Sequence, residues 1–155
     1  MDLFNLEIQN IQFKNKKVPI SAEMRPLYRI TRLLLVLEYA SRKNTASLIK
    51  LQLFDWTFQN SERYSVLKNL ISTENFPIIK FDPFVIRALN YGIGLGLIEI
   101  NDTNQNFTLS SKGKEWLFSV KSQEVFQNEL QLLKIIKKSI TEVKIKELSK
   151  GRYKL

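Results

Sequence analysis

Residues 83–117 read PFVIRALNYGIGLGLIEINDTNQNFTLSSKGKEWL, and the order of residue types within them decides the fold. Asp82 ahead of Pro83 is a strong helix start. The carboxylate accepts from the free N–H groups of a first turn, and the N–H that proline lacks would have had no partner there. The spacing predicts a helix over 83–95, ended by Gly96. Leu97 to Ile100 and Phe107 to Leu109 then predict two strands. Residues 101–106, rich in amides, favour a turn between them, so the segment is a β-hairpin. Ser110 or Ser111 caps a further helix through Lys114, Glu115, Trp116 and Leu117, although Gly113 weakens its first turn.

Moving upstream, residues 25–40 carry Pro26 in a first helical turn and Leu27, Ile30, Leu33, Leu34 and Leu37 at helical spacing, which predicts the first core helix. Arg25, Arg29 and Arg32 fall on one line of that helix, flanked by Tyr28 and Tyr39. Arginines one turn apart can track a charged surface, so these three are candidate contacts for phosphate or an acidic partner; the plainer reading is a solvated helix face.

A second helix, from a Thr45 cap to about Phe58, is apolar on two opposite sides. Leu51, Phe54 and Phe58 form one stripe, and Ile49, Leu53 and Trp56 the other. One layer of neighbours would leave a stripe exposed, which makes Leu51, Phe54 and Phe58 a candidate protein interface if the other stripe faces inward, or the reverse. The alternative is that the N-terminal arm or the C-terminal helix covers the second face. Asn60 and Ser61 cap a third helix over 62–72, and residues 78–81 form a very short strand.

Residues 1–24 read as an arm, 25–120 as the main domain, and 121–155 as a basic C-terminal helix and tail. A single long helix is expected from Ser122 to Ile140 or beyond, with Lys134 and Lys138 opposite its apolar stripe. The element order is that of a mainly α chain with a small β-hairpin wing (α+β): a winged helix-turn-helix with an N-terminal arm and a long C-terminal helix. An ordinary α+β domain with a hairpin would share this composition.

Composition restricts the chemistry. At 155 residues with 44% hydrophobic, the chain can bury one core. It contains no cysteine and no histidine, which removes disulfides, thiolate nucleophiles, imidazole bases and nearly all zinc, haem and iron–sulfur ligation. Neither Ser110 nor Ser111 has a histidine to activate it. Gly92, Gly94 and Gly96 lack the Lys-Ser/Thr of a phosphate loop, and the acids are scattered without metal-ligand spacing. No catalytic residue, cofactor, metal or small-molecule substrate is expected. Leu33 to Leu37 is too short to span a bilayer and the start has no leader pattern, so a cytoplasmic chain without a membrane role is expected.

The net charge is +9, and residues 121–155 hold 9 Lys and Arg against 4 Asp and Glu, or +5 of it. Such an excess favours encounter with nucleic acid or acidic protein. Reading a DNA sequence is another matter. The helix before the hairpin leaves only Arg87, Asn90 and Gly94 outside its apolar cover. Arg87 and Asn90 could supply two base contacts, each worth about 1–3 kcal/mol, which falls short of the usual specific preference. The hairpin tip offers Asp102 and no cation for phosphate.

The segments RPLYRITRLLLVLEYASRKNTASLIKLQLFDWTFQN and IIKFDPFVIRALNYGIGLGLIEI, followed by FTLSSKGKEW, resemble the small middle components of bacterial three-component ABC-ATPase systems, including Lamassu-type anti-phage defence complexes. The resemblance covers roughly Arg25 to Trp116 and rests on texture and order. It implies a non-catalytic winged-helix subunit that partners a coiled-coil ABC ATPase of the SMC or Rad50 kind and an effector, often a nuclease. Nucleic acid would be at most a non-specific contact. The competing expectation from architecture and charge is a DNA-binding transcriptional regulator.

Overall fold

A computed structural model describes residues 25–73, 75–121 and 123–150, together with the backbone of Tyr153 and Lys154. Within them the chain is mainly helical, with a small antiparallel sheet of three strands. The predicted arm, residues 1–24, lies outside the described residues.

Helix α1 (Pro26–Tyr39) is the axis of the molecule. Pro26 occupies its first turn, and every residue from Arg29 to Leu37 is buried, so it is surrounded on all sides instead of lying on a surface. Strand β1 (Thr45–Ala46) and helix α2 (Leu48–Phe58) follow a 3-10 turn at Arg42–Asn44. Ser47, not Thr45, caps α2, its side chain accepting from the Lys50 N–H. Thr45 instead pairs with Thr108 across the sheet, the two hydroxyls 2.8 Å apart.

The proposed outer stripe of α2 is overturned. Leu51 and Phe54 have no exposed surface and Phe58 only 5%, while Leu53 from the opposite stripe is equally buried. Two dry faces need two sets of neighbours, and the fold supplies them by packing α1, a short helix α3 (Tyr64–Asn69), strand β2 (Ile79–Lys80) and the C-terminal region around α2.

Helix α4 (Pro83–Gly94) lies along α1. A side chain at Gly92 would put its Cβ 2.7 Å from Ile30 Cγ1, so the absence of one lets the two helices approach this closely. Gly96, at φ +78°, makes the turn into strand β3 (Ile98–Ile100). Strand β4 (Phe107–Leu109) is the middle of the sheet, in the order β1-β4-β3, with Ile98 opposite Leu109 and Ala46 opposite Phe107. Helix α5 (Ser111–Lys121) starts at Ser110, whose hydroxyl accepts from the Gly113 N–H at 3.0 Å and donates to the Gly96 carbonyl at 2.6 Å. Gly113 is needed for contact: a Cβ there would lie 2.4 Å from the Leu97 carbonyl oxygen. From α5, Trp116 Nε1 donates to Thr31 Oγ1 inside α1 at 3.0 Å.

The single long C-terminal helix does not form. Helix α6 (Gln127–Ile136) ends at Lys137, at φ 53° and ψ −134°, and helix α7 (Glu142–Leu148) restarts from a Thr141 cap. The break lets α6 pack on α1 while α7 turns onto α2, with Ile136, Ile140 and Ile145 all buried. Strand β5 (Tyr153–Lys154) pairs in parallel with β2.

Candidate functional site

The arginine line does not reach the surface. Arg25 is exposed, but Arg29 and Arg32 are only 5% and 1% exposed and point into the protein toward α2. The core helix forms as expected, but the arginine-bearing face that was read as solvated is buried too, and its arginines are neutralised internally. Arg29 donates to Asp55 through Nε at 3.2 Å and Nη2 at 2.5 Å, and also pairs with Asp82. Arg32 Nη2 is 3.4 Å from Asp55 Oδ1, the oxygen that also accepts from Arg29 Nε, and its guanidinium sits 5.3 Å from the Tyr28 ring centroid. Burial works to lower the Arg29 pKa, but the hydrogen bond and charge of Asp55, then those of Asp82, more than offset it, and the result is a raised pKa. A phosphate-tracking role for Arg29 and Arg32 is therefore excluded by their burial.

Asp82 serves two ends of this cluster. Its Oδ1 accepts from the Phe84 N–H at 2.9 Å as the N-cap of α4, while Oδ2 faces Arg29. Gln59 Nε2 donates to Asp55 Oδ2 at 2.9 Å. Gln52, also buried, donates to the Asp82 carbonyl at 3.1 Å and accepts from the Asp82 N–H at 3.4 Å. Together these contacts bolt α1, α2 and the start of α4 to one another.

In front of the cluster is an open cleft of about 460 Å³, walled by Trp56, Phe81, Phe84 and Ile78 and rimmed by Arg63 and Lys80. Arg63 is stacked 4.5 Å from the Trp56 ring centroid and donates to the Trp56 carbonyl at 2.8 Å. The acids at the back are already engaged by arginines and amides. Among the described residues no group of three or more acids could hold a metal ion, and no helix is long and apolar enough to cross a membrane.

Arg87 and Asn90 are both exposed on the outer face of α4, where Arg87 lies 5.1 Å from the Phe84 ring centroid. The hairpin tip turns its polar groups on itself. Asn101 Oδ1 accepts from the Thr103 N–H at 2.8 Å, Asn104 Oδ1 from the Asn106 N–H at 2.9 Å, and Gln105 Nε2 donates to the Asp102 carbonyl at 3.0 Å.

The structure also exposes a participant that sequence patterning missed. Lys50 is 2% exposed and donates to the Ala40 carbonyl at the end of α1 at 2.5 Å. Desolvation brings its pKa down to about 8; Glu142 opposes the shift, while Arg42 and Lys138 add to it. The available signal was weak: a lysine between two apolar stripes on a helix with no polar side.

No protein family, curated protein or solved structure matches this chain.

Proposed function

We propose that this chain is a non-catalytic winged-helix subunit that works by assembling with other macromolecules. The observation that carries this reading is the combination of a hairpin next to α4 with an outer surface nearly devoid of cations: Asp102 is the one charged residue in the 101–106 tip, and α4 offers Arg87 and Asn90 alone. The order α1, β1, α2, α4, β3, β4 and the sheet order β1-β4-β3 support a winged helix in which residues 59–82 are an insertion ahead of the helix that precedes the wing. The resemblance to the middle components of three-component ABC-ATPase systems supplies the partners: a coiled-coil ATPase and an effector, in anti-phage defence. With Leu51, Phe54 and Phe58 inside the core, any such contact falls on other surfaces.

Co-expression with neighbouring open reading frames, followed by purification through this chain, tests the proposal. The expected result is a stoichiometric complex containing a coiled-coil ATPase; a clean monomer rules it out. The second reading, a DNA-binding regulator, draws on the exposure of Arg87 and Asn90. It requires a defined operator whose sequence preference disappears in Arg87→Ala, and equal weak binding to every duplex would end it.

A further inference from the structure

Two turns far apart in sequence meet at one corner of the fold. The Ser47 N–H, just ahead of α2, donates to Glu142 Oε1 at 2.9 Å and pins the start of α7 to the start of α2. That contact sets the turn between α6 and α7 beside the 3-10 turn at Arg42–Asn44. Arg42 and Lys43 are exposed on one turn, Lys137 and Lys138 on the other, and Lys134 on the last helical turn of α6 that leads into it. Electrostatics agree with the geometry, since the charges of both Arg42 and Lys138 act on the buried Lys50 between them.

This concentration of charge has little internal compensation. No acidic residue occurs between Tyr39 and Asp55, or between Leu130 and Thr141. Glu142, at the start of α7, has its Oε1 engaged by the Ser47 N–H. Among the described residues no ion pair engages any of the five surface cations. Lys43 and Lys137 moreover both hold positive φ, 54° and 53°, a region that side chains other than glycine adopt at a cost. Like charges gathered on strained turns repel one another, and an anion would relieve that repulsion.

The residue types select the anion. Cores of protein interfaces are depleted in lysine and enriched in aromatic side chains, whereas this corner presents four lysines and one arginine. We infer that the corner formed by Arg42, Lys43, Lys134, Lys137 and Lys138 is a sequence-independent contact for the phosphodiester backbone of duplex nucleic acid. Lysines meet phosphates there as mobile point charges, without base readout. This is a different surface from the outer face of α4, and it carries an activity that neither assembly nor operator recognition requires.

The test is fluorescence anisotropy of the whole chain with a labelled duplex of random sequence across a salt series. The logarithm of affinity is expected to fall linearly with that of salt, with a slope near −3 if about three to four phosphates are neutralised. Replacing Lys134, Lys137 and Lys138 by Glu together is expected to weaken binding at least about tenfold and flatten the slope. The same charge change at the exposed Lys68, Lys80 and Lys114 is expected to cost far less. Thermal melting checks that each variant is folded; should the triple reversal not fold, the pair Lys134→Gln and Lys138→Gln replaces it. Equal weakening by both triples would overturn the inference, as would displacement of the duplex by polyglutamate at matched charge, which would make this an acidic-protein surface.

Discussion

Asp55 has no exposed surface and accepts from Arg29, Arg32 and Gln59. Removing one partner of a buried ion pair is far costlier than the net worth of the pair, because the remaining charge stays desolvated. Asp55→Asn keeps the shape but strips the charge from between two buried guanidiniums, and is expected to cost about 3–5 kcal/mol. That is a large share of the roughly 5–15 kcal/mol that stabilises a domain. Asp82→Asn is the informative comparison, since asparagine caps a helix as well as aspartate does and the Asp82 side chain is 27% exposed. Its loss is expected to stay near about 1 kcal/mol. Urea midpoints of the two variants check this, and equal losses would mean that the guanidiniums find other acceptors. Sequence reading found both arginines yet placed them outside, because helical spacing shows which residues share a face and not what that face meets. Asp55, the one acid on α2, was the available clue to a charge inside.

At the scale of elements, α1, α4, the hairpin and α5 were legible from local signals: Pro26, Asp82 with Pro83, the amide-rich turn and Ser110. What was missed depended on distant partners. Thr45 looks like a cap until Thr108 offers it a strand, and Gly113 looks like a defect until Leu97 comes within reach. The residue 122–140 stripe continues at helical spacing through a break, since Ile136 and Ile140 can both reach the core by a turn at Lys137. That turn is where strain is held. Glycine adopts φ 53° without the Cβ penalty, so Lys137→Gly is expected to raise stability by about 0.5–1 kcal/mol, read from the urea midpoint. The same change removes one surface cation and should weaken duplex binding. A gain in stability with a loss in affinity fits strain held at a functional turn; a loss of both would mean that the Lys137 side chain braces the fold.

Across the whole molecule, Lys50 joins the end of α1, the core of α2 and the electrostatic field of α7. Its folded pKa, about 8, lies below the ordinary lysine value of about 10.4. In that interval the unfolded chain binds more protons than the folded one, so stability rises with pH. The penalty of burying the ammonium is fully present below the folded pKa and is relieved as pH climbs toward the unfolded one. Between about pH 7 and pH 10 the gain is on the order of 2 kcal/mol. Tyr64 acts in the opposite sense at the upper end, because burial, assisted by Glu129, raises its pKa and the unfolded chain then releases its proton first. Comparison with Lys50→Met separates the two, since the variant keeps Tyr64 and an apolar stem of similar length but has no proton to lose. Unfolding midpoints measured across this range should climb in the natural chain relative to the variant. A constant difference at every pH would show that Lys50 keeps its proton in the fold, held by the Ala40 carbonyl and Glu142 against the repulsion of Arg42 and Lys138.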